Sequence, residues 1–433
     1  MVIFNCQPGG SVTGSIRVPG DKSISHRSII LASIAQGTTH ISGFLEGEDS
    51  LNTLAAFRVM GVPIERDGNQ VIVQGVGLHG LQKPDRVLQM GNSGTAMRLM
   101  LGLLAGQSFD TMLAGDVSLS KRPMNRVIKP LLEMNANIES QAAGTAPLQI
   151  RAQPNLEAIN YVMPIASAQV KSCIMLAALY AEGETTITEL APSRDHTERM
   201  LKGFGCELVN ENLQISVRGK QTLYATDIDV PADISSAAFF LVAASIAPGS
   251  EITLQHVGVN PTRTGVIQVL RLMGADISLL NERDIGGEPV ADIRVRSAQL
   301  NGIHIPEALV PLAIDEFPVL FVAAACAKGE TILTGAEELR VKESDRIEAM
   351  ALGLKKLGIA VEVMPDGIRI QGGSMKGAVV ESYGDHRIAM AFSVASLVAS
   401  EAISIRDCAN VDTSFPGFVE LARLAGIQVS SHG

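Results

Sequence analysis

Read for its alternation of apolar and polar positions, the chain repeats one phrase from end to end. An extended step closes on Pro or Gly and a polar cluster follows. Then comes an apolar stretch of helical length, and then Gly with a strand rich in β-branched residues. VPGDKSISHRSIILASIAQGTTHISGF from Val18, MPIASAQVKSCIMLAALYAEGETTITEL from Met163 and VPADISSAAFFLVAASIAPGSEITLQHV from Val230 carry it most plainly. Three further copies start at Met90, at Ile305 with a short insertion, and at Tyr383; the first and last of these put Gly in place of Pro. The anchors Pro19, Gly91, Pro164, Pro231, Pro306 and Gly384 recur at steps of 72, 73, 67, 75 and 78 residues. A second half completes each copy, as in IQVLRLMGADISLL or MALGLKKLGIAVEVMPDGIRIQG: an amphipathic helix, then alternation fit for a half-buried strand. The unit reads β-α-β-α-β-β.

Six such units must bury six apolar helices. The predicted fold class is α/β, with the six β-α-β-α-β-β repeats arranged as two pseudo-threefold domains, each grouping three copies around a shared core with sheets outside. A linear solenoid is the competing arrangement, but its units usually run about 20 to 45 residues, short of this period. A length of 433 residues suits two domains. Apolar residues at 46% and charged residues at 18% exclude a disordered chain. A net charge of −10 and 4% aromatics argue against a nucleic-acid partner, which wants cations and stacking platforms. Cys6, Cys173, Cys206, Cys326 and Cys408 lie far apart, form no metal or redox motif, and read as reduced thiols of a cytoplasmic protein. No early positive patch leads into an apolar run, and the longest apolar stretch, Ala237 to Ala247, is too short for a bilayer; neither export nor membrane insertion is expected.

In every copy the polar cluster falls between strand and helix, where unpaired N–H groups and the helix dipole favour anions. The chemistry differs from copy to copy. The first offers Lys22, Ser23, Ser25 and Arg27, the second Asn92, Ser93, Gly94, Thr95 and Arg98, and the third Ser167, Gln169 and Lys171. The fifth offers Asp315 and Glu316, and the sixth Asp385, His386 and Arg387. Further charge opens the second helices: Lys121-Arg122, Arg194-Asp195-His196, Arg263, and Arg340 through Arg346. Shared structural demands would have produced similar caps, so the divergence points to one composite site. PGDKS lacks the glycine spacing of a P-loop, and HExxH, GxSxG and GxGxxG are all missing, which removes support for zinc hydrolysis, a hydrolase triad and a nicotinamide cofactor. Arg, Lys and carboxylates together suit small polyanions and proton transfer. The i,i+5 pair Lys22 and Arg27 and the group Lys342, Glu343 and Arg346 are expected to aim together from helix starts. Single residues such as Arg98, Arg263 and Asp385 read equally as caps or salt bridges.

PGDKSISHR (Pro19 to Arg27), GNSGTAMR (Gly91 to Arg98), KRPM (Lys121 to Met124), RVKESDR (Arg340 to Arg346) and DHR (Asp385 to Arg387) together resemble the 5-enolpyruvylshikimate-3-phosphate synthase family, in the family's order and over nearly the whole chain. SAQVK, RDHTE and NPTR resemble its class II members, many of which tolerate glyphosate. The resemblance implies two domains joined by two crossovers, residues 1–21 with 229–433 and residues 22–228, and a site in the cleft. It implies transfer of the enolpyruvyl group of phosphoenolpyruvate to the 5-hydroxyl of shikimate 3-phosphate, with no cofactor and no metal. Lys22, Ser23, Arg27, Ser167, Ala168 through its backbone, Gln169, Arg194, Asp315 and Lys342 would hold shikimate 3-phosphate. Lys22, Gly94, Arg122, Gln169, Arg346 and Arg387 would hold phosphoenolpyruvate, with Asn92 and His386 as possible additions. Asp315 would take the hydroxyl proton and Glu343 would serve the enol methyl, with Lys22 competing for that role. A lysine that some members carry before the TFP-like segment is missing at Thr413-Ser414-Phe415-Pro416. Gly94 leaves open the space that an alanine methyl fills in some tolerant members. The partners implied are these two small molecules only, with no nucleic acid, no membrane and a monomeric chain. The rivals are the enolpyruvyl transferase acting on UDP-N-acetylglucosamine, whose usual loop cysteine has no counterpart between Gly115 and Arg122, and a non-catalytic anion-binding protein.

Overall fold

A computed structural model describes residues 1–153 and 155–433. The chain forms two compact units. One comprises Met1–Pro19, Pro231–Asp284 and Pro289–Gly433; the other comprises Gly20–Val230 with Ile285–Glu288.

The Gly20–Val230 unit holds the first three copies. Its core helices, Lys22–Ile34, Gly94–Leu104 and Ala168–Ala178, are apolar on nearly every face because they are covered on every face. Each starts where the polar cluster supplies a cap: Asp21, Ser93 and Ser167 accept from the backbone N–H of Ile24, Ala96 and Val170. Polar positions inside the first helix are satisfied locally, Ser28 donating to Ser25 O and Ser25 Oγ accepting from Leu45 N. Gly102 sets a close approach of the second and third helices, since a Cβ there would lie 2.1 Å from Cys173 O. The other unit repeats the plan with Ile234–Ile246, Phe317–Cys326 and His386–Ala395, which pack on one another. Each buried Leu, Ile or Phe in these helices contributes about 1.5–3 kcal/mol.

Outside each core helix lies a small sheet with one topology. In the third copy Asn160–Val162 runs parallel to Glu184–Thr188, which pairs antiparallel with Gln214–Arg218, which pairs antiparallel with Leu208–Glu211. All six copies follow this plan, including the two that replace Pro with Gly. The fifth has three strands, and in place of a full parallel strand it has the parallel bridges Asn301 to Lys328 and His304 to Ile332. Its insertion folds as the short helical turns Glu307–Leu309 and Val310–Ala313.

Two sheets are assembled differently from what the repeat suggests. Thr13–Ile16, the step before copy one, pairs with Glu251–Gly258 of copy four. Ile228–Asp229, the step before copy four, pairs with Gln36–Ser42 of copy one. The opening strands of copies one and four are exchanged, so each unit closes on its own sheet. In the sixth copy the missing last strand is supplied by Ile3–Cys6, inserted between Ile403–Arg406 and Val429–His432.

Candidate active site

In the Gly20–Val230 unit the caps that start the core helices also present the polar clusters. Lys22 opens its helix and extends Nζ to Asp49 Oδ2 at 3.3 Å. Arg27 is buried. Its Nε donates to Thr197 Oγ1 at 2.6 Å, Nη2 to Ser172 Oγ at 2.8 Å, and Nη1 to Ser23 O at 2.9 Å. Lys22 and Arg27 thus take different partners within the unit. Five residues turn a helix about 140° past a full circle, which sends the two side chains to different partners. Burial lowers the Arg27 pKa to about 10, with Glu198 and Asp21 opposing, so it stays charged at neutral pH.

Between these cations His26 is wholly buried. Its Nδ1 meets Thr53 Oγ1 at 2.8 Å and its Nε2 meets Ser93 Oγ at 3.3 Å, tying the first core helix to the cap of the second. Burial, then Lys22 and Arg27, push its pKa down to about 3, so the ring is neutral.

Asn92, Gly94 and Arg122 come together. Arg122 Nη2 donates to Asn92 Oδ1 at 2.7 Å, and Asn92 Nδ2 donates to Asp116 Oδ2 at 2.6 Å. A Cβ on Gly94 would lie 2.7 Å from Arg98 Nη1 and 3.5 Å from Arg122 Nη1. Arg98 Nη1 donates to Gln169 Oε1 at 2.8 Å while Gln169 Nε2 donates to Thr95 Oγ1 at 2.9 Å, joining the second and third copies. Ser167 and Ala168 open the third helix, and half-buried Arg194 precedes the helix His196–Gly203.

The other unit carries the carboxylates. Arg346 is 1% exposed, with Nε on Asp385 Oδ2 at 2.8 Å, Nη2 on Glu343 Oε2 at 2.6 Å and Nη1 3.5 Å from Asp315 Oδ1. Burial works against its charge, but Asp385, Glu343 and Asp315 outweigh that and hold its pKa above the ordinary arginine range. Lys342 Nζ lies 3.6 Å from Asp315 Oδ1. Lys342 and Glu343 are not in a helix start: Asp345 caps the helix Arg346–Lys356 by accepting from Glu348 N, leaving both in the preceding turn. Asp315 lies between Lys342 and Arg346, while Glu343 joins Arg346 directly at i,i+3 spacing. Arg387 and His386 are buried at the start of the sixth core helix, which Asp385 caps through Arg387 N.

Sequence spacing gave no sign of Asp49, Asp116, Ser172 or Thr197, whose partners lie 27, 24, 145 and 170 residues away. Arg263 is a structural cation, buried against Asp233 and Ser235. A cavity of about 350 Å³ lies among Ile34, Leu78, Tyr180 and Leu223, at the other ends of the core helices, and none of the residues singled out above lines it. Among the described residues no group of three or more His, Cys, Asp or Glu is placed to hold a metal ion, and no helix is long and apolar enough to cross a membrane.

Residues 6–421 match the family model described as EPSP synthase (3-phosphoshikimate 1-carboxyvinyltransferase). The chain is 65% identical to a 3-phosphoshikimate 1-carboxyvinyltransferase of Alkalilimnicola ehrlichii, over 99% of this chain and 96% of that one. It superposes on the EPSP synthase of Acinetobacter baumannii with a TM-score of 0.92 at 54% identity, covering 100% of both chains. The enolpyruvyl transferase NikO of Streptomyces tendae shares the fold, with a TM-score of 0.81 at 14% identity over 100% of this chain and 99% of that one.

Proposed function

The chain belongs to the EPSP synthase family, and on that premise we propose that its clustered cations and carboxylates carry one reaction, the transfer of the enolpyruvyl group of phosphoenolpyruvate to the 5-hydroxyl of shikimate 3-phosphate. Lys22, Ser23, Arg27, Ser167, the Ala168 backbone, Gln169 and Arg194 bind shikimate 3-phosphate, helped by Asp315 and Lys342. Lys22, Gly94, Arg122, Gln169, Arg346 and Arg387 bind phosphoenolpyruvate, with Asn92 orienting Arg122 through the 2.7 Å bond.

Asp315 takes the proton of the 5-hydroxyl as that oxygen bonds to C2 of phosphoenolpyruvate, and Glu343 gives a proton to C3, which becomes a methyl. In the resulting tetrahedral adduct, loss of phosphate from C2, which takes up the proton that Asp315 held, and return of the methyl proton to Glu343 restore the double bond and both carboxylates. Lys22 is the alternative donor to C3. Arg346 offsets part of the phosphoenolpyruvate charge, together with the other cations proposed to bind it, in a site where burial strengthens each interaction.

The observation that carries this reading is the wholly buried Arg346 guanidinium set between Asp385, Glu343 and Asp315. A structural ion pair needs one carboxylate; three converging on one cation, two of them partly exposed, suit proton transfer. The chain works in the cytoplasm as a monomer, a placement supported by five free cysteines. Inorganic phosphate release from phosphoenolpyruvate tests the reading, run with shikimate 3-phosphate, with UDP-N-acetylglucosamine and with neither. Release with shikimate 3-phosphate alone is the expected result; release with the sugar nucleotide alone, or none, overturns it.

A further inference from the structure

We propose that Lys171 is a positioning residue that sets the spacing between the start of the third core helix, Ser167 to Gln169, and the segment bearing Arg194. The inference rests on the shikimate 3-phosphate site proposed above.

An ammonium has three donors and no acceptor, so a buried lysine needs three acceptors to be satisfied. Lys171 Nζ donates to Glu189 Oε2 at 2.9 Å and to Ser193 O at 3.5 Å and forms an ion pair with Glu198 Oε1 at 2.7 Å. All three lie on one stretch of chain that flanks Arg194. Glu189 also accepts from Ser193 Oγ, fastening the residue before Arg194 a second time. Lys171 itself sits one turn into its helix, its backbone N–H bonded to Ser167 O at 3.1 Å. One cation therefore joins the turn that offers Ser167 and Gln169 to the loop that offers Arg194. The lysine, Glu189 and Glu198 side chains are 1%, 5% and 2% exposed.

Burying an ion cluster of this kind seldom adds stability over an apolar replacement, so its place beside a ligand site points to geometry as its use. Burial pushes the Glu198 pKa up, with Lys171 opposing, and Glu198 also supports Arg27, which bonds the neighbouring Thr197. Arg27, Ser167, Gln169 and Arg194 are thereby held to one frame from two copies of the repeat.

Steady-state phosphate release by Lys171→Met, with each substrate varied in turn, tests this. The expected result is a KM for shikimate 3-phosphate raised about tenfold or more, with the KM for phosphoenolpyruvate rising clearly less, since of the positioned residues only Gln169 serves both substrates, and kcat reduced less than the shikimate 3-phosphate KM rises. Unchanged KM values, or both rising in parallel, would overturn the inference while leaving wild-type turnover with shikimate 3-phosphate intact. Wild-type protein inactive with that acceptor would instead remove the underlying reading. Should Lys171→Met fail to fold, Glu189→Gln carries the same test, because Lys171 keeps Glu198. Its shikimate 3-phosphate KM should then rise about threefold with the phosphoenolpyruvate KM rising clearly less, and a shikimate 3-phosphate KM equal to wild type refutes the role.

Discussion

Arg346 and Asp385 form an ion pair with no exposed atom of consequence, Nε to Oδ2 at 2.8 Å, and the same aspartate caps the sixth core helix by accepting from Arg387 N at 2.9 Å. One carboxylate thus orients the Arg346 guanidinium and fixes the backbone from which Arg387 extends, both arginines being proposed to bind phosphoenolpyruvate. Asp385→Asn retains the shape and the cap but strips the charge from a buried pair. Stability should fall by about 3 kcal/mol, and kcat/KM for phosphoenolpyruvate should fall about 100-fold. Urea unfolding and initial rates measure the two effects, and full activity in a stable variant would contradict the pairing.

Gly94 has room for a methyl only if Arg98 retreats, since the Cβ would lie 2.7 Å from its Nη1. Arg98 holds Gln169 at 2.8 Å, so the displacement reaches a second residue. Gly94→Ala should raise the KM for phosphoenolpyruvate about tenfold while the KM for shikimate 3-phosphate changes about twofold or less. Parallel changes in both would show that the methyl is felt elsewhere.

Protonation of His26 should destabilise the fold. The folded ring has its pKa lowered from 6.5 to about 3, so the unfolded chain binds a proton in that window while the folded chain does not. Stability is therefore lost as pH falls from 6.5 towards 3. His26→Gln removes this source, and its urea midpoint should drop less between about pH 7.5 and about pH 5 than that of the wild type. Equal drops would mean the buried ring is not what titrates.

Glu316 follows Asp315 in sequence, is 1% exposed, and accepts from Ser235 Oγ, which in turn accepts from Arg263 Nη2 at 2.8 Å. This chain of bonds moors the turn that offers Asp315. Glu316→Ala should cost about 2 kcal/mol of stability and lower kcat more than it raises the KM for phosphoenolpyruvate. A loss of stability with kcat untouched would show that the mooring does not reach Asp315.

Much of this architecture was legible in the order of residues, for a physical reason. Helices such as Ile234–Ile246 are covered on all sides and have to be apolar all round, while outer helices have one wet face, so the two patterns alternate visibly. The caps were legible too, because Asp21, Ser93, Ser167 and Asp385 bond only two or three residues ahead. Strand partners were not. Thr13–Ile16 reads as a strand whichever sheet receives it, and nothing local says that Glu251–Gly258 does. The same limit hid Arg27 with Ser172 and Thr197, and Arg346 with Asp385, contacts that exist only once distant copies have packed.

The placement of Ile3–Cys6 in the middle of the last sheet has a consequence for synthesis. Ile3–Cys6 is made long before its partners Ile403–Arg406 and Val429–His432, so Phe4 and Cys6, buried in the finished protein, have no partner strand until those segments emerge. At about 5–20 residues per second that wait is on the order of tens of seconds. Gly20–Val230 is, apart from Ile285–Glu288, one continuous run, and its first sheet is sealed by its own final strand, Ile228–Asp229. It can mature while the rest is still being made. The other unit stays open until those strands are made, and Ile3–Cys6 is the segment that needs protection from misplaced pairing in the interval.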